Sequence, residues 1–160
     1  MTITVTGIVQ IGIVVHSVED TVKRYQKLLG LTDWSINEVN TEKTKGRNFS
    51  NREEPIHAKA LIAWTNLGGL ELEIIQPQDQ NSVYWEFLRD KGPGIHHIML
   101  GTEDTNALSN HLTGQGVQLL ASGALQETHF KLFDTQRDLG VFCEIAHGGA
   151  LIADRKMNNF

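Results

Sequence analysis

Two adjacent histidines, His96 and His97, stand inside the apolar run "GIHHIML" of residues 94–100. In an extended strand, neighbouring side chains point to opposite faces, so the two rings are expected to serve different surroundings. Two glutamates keep similar company: Glu73 in "LELEI" (70–74) and Glu144 in "VFCEI" (141–145). An ionised carboxylate buried in such a run without a partner costs several kcal/mol, so each must pair, take up a proton or bind a cation. Imidazole and carboxylate together are the materials of metal binding and of proton transfer. The plainer account is a core histidine with a satisfied ring and edge-strand glutamates in water.

The other reactive side chains carry weaker signals. Cys143 is the single cysteine, which excludes an internal disulfide, makes a reducing cytosol the expected location, and reads as a buried strand residue. The basic stretch "EKTKGRNFSNR" sets Lys43, Lys45, Arg47 and Arg52 against Glu42, and reads as a solvated loop or a local anion site. A net charge of −5 argues against a nucleic-acid binder. His16, His57 and His111 are expected to be structural or exposed, and His129 to lie nearer any cup formed by the strands. Trp64, Tyr84, Trp85 and Phe87 are expected to be packing residues.

Something must hold these groups in place. The chain has 160 residues, 40% of them hydrophobic and 21% charged, enough for one domain or for two small modules sharing a core. No apolar run approaches the roughly 20 residues of a membrane helix, and "MTITVTGIVQIGIVV" does not read as a signal peptide. "GIVQIGIVVH" is a buried strand by its continuous apolar character. "SVEDTVKRYQKLLG" is an amphipathic helix opening on Ser17 and closing on Gly30. Strands follow at about 32–40, 57–66 and 69–76, the last two joined by a Gly68–Gly69 turn, and then a linking helix at 82–91.

The order then starts again. "IHHIML" is a strand, "TEDTNALSNHLTGQG" a helix, and strands at about 117–122 and 127–134 precede "LGVFCEIA". The β-α-β-β-β order occurs twice, giving module one at about 5–78, module two at about 94–147 and a tail at 148–160, packed as one α+β domain. Overlaying the halves sets Gln10 on His97 and Glu73 on Glu144. One imidazole, two carboxylates and an amide oxygen form a mixed N/O set suited to Zn, Co, Ni, Mn or Fe with open coordination positions. In this overlay His97 faces the site and His96 points elsewhere.

The segments "QIGIVVHSVEDTVKRYQKLLGL", "LELEIIQP", "GPGIHHIML" and "GVFCEIA" resemble the vicinal-oxygen-chelate superfamily, the fold of glyoxalase I and methylmalonyl-CoA epimerase, over about residues 7–147. The resemblance implies two βαβββ modules whose sheets form one cupped half-barrel around a divalent metal ion (Co, Zn, Ni or Mn). It implies Gln10, Glu73, His97 and Glu144 as ligands, with Glu144 also the base. "NSVYWEFLRDKGPGIHHI" is most like an epimerase, which adds a second glutamate as opposite-face base; "NREEPIHAKA" offers Glu53 and Glu54, of which Glu54 is the candidate. The Gln, Glu, His, Glu set itself is similar to that of glyoxalase I. Where epimerases have a glycine-rich turn and an "HP" pair before the last strand, this chain has "LQETHFKLFDTQRDLG", which bears on coenzyme A binding.

The implied activity is epimerisation at C2 of methylmalonyl-CoA or a similar acyl thioester. A glyoxalase I-like lyase is the alternative, and a non-catalytic ligand-binding member of the fold is a third reading. A small-molecule substrate and a homodimer complete what the family implies.

Overall fold

A computed structural model describes residues 3–157. In chain order the elements are β1 (Val5–Val14), α1 (Val18–Leu29), β2 (Trp34–Asn40), β3 (Arg47–Asn51), β4 (Glu54–Ile56), β5 (Lys59–Leu67) and β6 (Leu70–Pro77). There follow α2 (Val83–Lys91), β7 (Gly94–Thr102), α3 (Thr105–Gly114), β8 (Leu119–Leu125), β9 (Thr128–Phe133), α4 (Gln136–Leu139), β10 (Phe142–Gly148) and β11 (Arg155–Met157). Local chemistry sets the ends. Ser17 Oγ accepts the Asp20 N–H at 3.1 Å, and Gly30 closes α1 in a left-handed conformation at φ 70°. The β5–β6 turn places Gly68 and Gly69 at φ 64° and 96°, the positive values a tight hairpin turn demands.

Among the described residues, eleven strands form one strongly curved sheet in the order β11-β2-β5-β6-β1-β7-β10-β9-β8-β3-β4. Its centre has two-fold character: β2-β5-β6-β1 on one side mirrors β8-β9-β10-β7 on the other, with β1 and β7 antiparallel at the seam. The register repeats the symmetry. Gln10 pairs with Met99 and His97 with Gly12, while Gly12 lies beside Glu73 and Met99 beside Glu144. The mixed α+β half-barrel expected from the sequence is thus observed.

Helix α1 covers the back of the first half. There Val18, Val22, Trp34, Ile36 and Ile74 are fully buried, each aliphatic side chain of this size contributing about 1.5–3 kcal/mol. The concave side holds Val39, Phe49, Ile62, Ile75, Phe130 and Leu132.

Three features differ from expectation. The hairpin β3–β4, read as loop, pairs through β3 with β8 of the other half. Residues 155–157 of the expected tail form β11 on the β2 edge, while 158–160 lie outside the described residues. Two cations of the basic stretch are paired within the chain. Buried Arg47 donates to the Glu38 carbonyl and to Asp154 Oδ1 at 2.9 Å, tying the two edges of the sheet together, and Arg52 pairs with Glu86 at 2.7 Å. Among the described residues no helix is long and apolar enough to cross a membrane.

Candidate metal centre

Bulges decide how β1 and β7 present their side chains. Ile8 pairs with Leu100 and Gln10 with Met99, so Val9 has no counterpart; Gly12 pairs with His97 and Ile13 with Ile95, so His96 is the extra residue on β7. A bulge breaks strict alternation and re-aims the side chains beside it. His96 and His97 therefore do not part company, as alternation predicts. Both are buried, and their Nδ1 atoms lie 3.1 Å apart.

The four positions matched by the repeat meet at one atom. His97 Nε2 lies 3.2 Å from Gln10 Oε1, 3.4 Å from Glu73 Oε2 and 3.5 Å from Glu144 Oε2, and all four side chains are buried. The His97 ring lies directly over Gly12: a Cβ there would sit 2.1 Å from Cε1 and 2.3 Å from Nε2. Only glycine leaves that space.

The electrostatics follow from burial. Burial lifts the Glu144 carboxyl to about 7, opposed by His97 and reinforced by Glu73 and Glu71. Burial alone would lower His97, but the Glu144 charge and the hydrogen bond and charge of Glu73 hold its imidazolium above the ordinary value. Glu144 and His97 thus retain protons that ordinary side chains would have lost.

Glu71, not singled out from the sequence, belongs to the same face. It accepts a hydrogen bond from Gln10 Nε2 at 2.5 Å, and burial raises its carboxyl. The signal was available, since Glu71 and Glu73 are two apart on one strand and must share a side.

Among the described residues no three His, Cys, Asp or Glu side chains stand ready to hold a metal ion by themselves. The donor chemistry nonetheless fits one. A single ring nitrogen faces three oxygens, and one N–H can satisfy only one of them. Two ligands each about 2.1 Å from a common ion stand roughly 3.0–3.4 Å from each other, close to the 3.2–3.5 Å spans here.

Gln10, Glu71, Glu73 and Glu144 line a mainly apolar cavity of about 280 Å³ whose walls include Phe49, Ile62, Trp64, Met99 and Phe130, while fully buried His97 is not among the lining side chains. Trp64 and Tyr84 line it, so they are not packing residues alone. Glu54 is exposed on β4, reached through left-handed Arg52 and Glu53, and is not among the lining residues. His129 also stays outside, exposed and stacked on His147 at 5.2 Å between ring centroids. Cys143 is buried, as expected.

The sequence profile of the Glyoxalase/Bleomycin resistance protein/Dioxygenase superfamily matches residues 9–132, and the chain belongs to this superfamily. Its relatives sharpen the picture. The chain is 30% identical over 110 residues, 69% of its own length and 67% of the other's, to the uncharacterized protein YqjC of Bacillus subtilis (strain 168). Its fold is similar to methylmalonyl-CoA epimerase of Streptomyces coelicolor in complex with 2-nitronate-propionyl-CoA, at 24% identity and TM-score 0.64, covering 92% of this chain and 100% of that one. The methylmalonyl-CoA epimerase of Mycobacterium tuberculosis is likewise similar, at 21% identity and TM-score 0.66, with 94% and 93% covered.

Proposed function

We propose that the protein is a metal-dependent isomerase that moves the proton on the carbon beside the carbonyl of a small acyl thioester, methylmalonyl-CoA being the first candidate. One observation carries this reading: Gln10, Glu73 and Glu144, which line a mainly apolar cavity, converge on the Nε2 of buried His97. Gln10, Glu73, His97 and Glu144 would hold the ion, which supplies Lewis-acid stabilisation of the negative oxygen that develops as the carbon loses its proton.

The remaining work belongs to the chain. Glu144 takes the proton from the carbon and returns it, loosening from the ion to accept it. The apolar walls exclude water and seat the acyl group. Glu144 works on one face of the planar enolate, so inversion needs a proton delivered to the other; Glu54, the candidate for that role, lies outside the cavity lining.

The test is proton exchange. Protein reloaded with Co or Zn and given chiral methylmalonyl-CoA in deuterated water is expected to exchange the C2 proton and racemise the substrate. No exchange in metal-loaded protein would sink the epimerase reading. A glyoxalase I-like reading is favoured by one feature, the Gln10 amide oxygen turned toward His97. Its test is formation of a thioester from methylglyoxal and glutathione.

A further inference from the structure

His96 is 1% exposed, and its Nε2 is the only buried side-chain nitrogen or oxygen without a hydrogen-bond partner among the described residues. Three aromatic rings enclose it: Tyr84 at 4.8 Å, Phe142 at 4.9 Å and Phe87 edge-on at 5.0 Å between centroids. Its one polar contact is the 3.1 Å approach of its Nδ1 to His97 Nδ1.

The 3.1 Å contact couples the two tautomers, since one Nδ1 must donate and the other accept. His96 Nε2 has no oxygen or nitrogen partner, and the acceptor its aromatic surroundings offer an Nε2–H is a ring face. With the His96 proton on Nε2, its Nδ1 is a lone pair. Facing that lone pair, His97 Nδ1 must carry its own proton and donate it. A neutral His97 ring then has no proton left for Nε2, whose lone pair faces the Gln10, Glu73 and Glu144 oxygens, an arrangement that repels unless a cation stands among them.

We propose that His96 is the positioning residue of the centre, its Nδ1 accepting the Nδ1–H of His97 so that His97 Nε2 is held as a metal-binding lone pair. The proposal rests on the metal-centre reading above. In metal sites the outer partner of a ligating histidine is ordinarily a carboxylate, a carbonyl or water. Here the β-bulge supplies it from the adjacent residue, with no added charge.

The test reads the rings directly. In protein carrying ¹⁵N-labelled histidine, one- and two-bond ¹⁵N–¹H couplings report which nitrogen of each ring bears a proton, before and after Zn²⁺. The expected result is His96 as the Nε2–H tautomer in both states, with His97 keeping its Nδ1 proton while Nε2 takes up zinc. An Nδ1–H tautomer for His96 in the zinc-loaded protein overturns the proposal and leaves the metal centre standing. His97 resonances unmoved by Zn²⁺ remove the centre and the proposal with it.

Variants supply a second measure. Asn carries a carbonyl oxygen where His96 has Nδ1, whereas Phe fills the cage and offers no acceptor. Calorimetric Zn²⁺ affinity is expected to fall about 10–100-fold in His96→Phe and to be largely restored in His96→Asn. Equal affinities for both variants and the native protein overturn the proposal. Should His96→Phe not fold, the tautomer measurement decides alone.

Discussion

Glu71 fixes which end of the Gln10 amide meets the centre. An ionised carboxylate only accepts hydrogen bonds, so the amide nitrogen turns to Glu71, at 2.5 Å, and the amide oxygen is left facing His97 Nε2 at 3.2 Å. Glu71→Gln offers a donor in its place and frees the amide to turn. Co²⁺ affinity, followed by the visible spectrum of the bound ion, is expected to fall about 10-fold or more. An unchanged spectrum and affinity would show that Gln10 is no ligand.

Gly12 is predicted to be the most size-sensitive position around the centre. A Cβ there meets three atoms of the His97 ring at 2.1–2.6 Å. Gly12→Ala should cost about 1–3 kcal/mol in chemical unfolding, as overpacked cores do, and should abolish metal binding. Retained affinity would mean that the ring has room to move.

Glu144→Gln preserves shape and removes the base. Exchange at C2 should fall about 100-fold to 10,000-fold. In the metal-stripped protein the same change is expected to raise Tm above pH 7, since it removes a buried carboxylate near Glu73 and Glu71.

The metal-free protein should lose stability as pH rises through about 7. Glu144 and His97 hold protons in the folded state that the unfolded chain has released, so stability falls as they give them up. His96 works the other way. Burial, His97 and Lys91 hold it well below its ordinary value, so its contribution grows with pH, but only up to about 6.5, where the unfolded ring has lost its proton. Thermal unfolding with chelator should therefore give a lower Tm at pH 8 than at pH 6.5. Saturating Zn²⁺ should remove that slope, because its ligands bind deprotonated.

Glu54→Gln should change little. The side chain is exposed on an outer strand, and such substitutions alter stability by less than about 0.5 kcal/mol. Racemisation lost while exchange at C2 persists would place Glu54 as the opposite-face base.

Much of this was legible in the sequence, for definite reasons. The repeat places Gln10 over His97 and Glu73 over Glu144, and the register obeys that relation. Ser17 and Gly30 mark the ends of α1 through caps that depend only on local chemistry. The bulge at His96 was hidden because register belongs to a pair of strands, and one strand read alone does not contain it. For the same reason the partnership of the two histidines was missed. Arg47 and Asn51 read as loop because their strand partners, Leu125 and Ala121, lie far along the chain.

That last pairing bears on how the protein is made. A ribosome delivers the first half of the sequence well before β8, so β3 emerges with its neighbour not yet synthesised. Arg47 must wait longer still, for Asp154 close to the end. The nascent first half is thus left with an open edge, and closure of the cup becomes a late event in synthesis that joins segments distant in sequence, the kind of contact that slows folding.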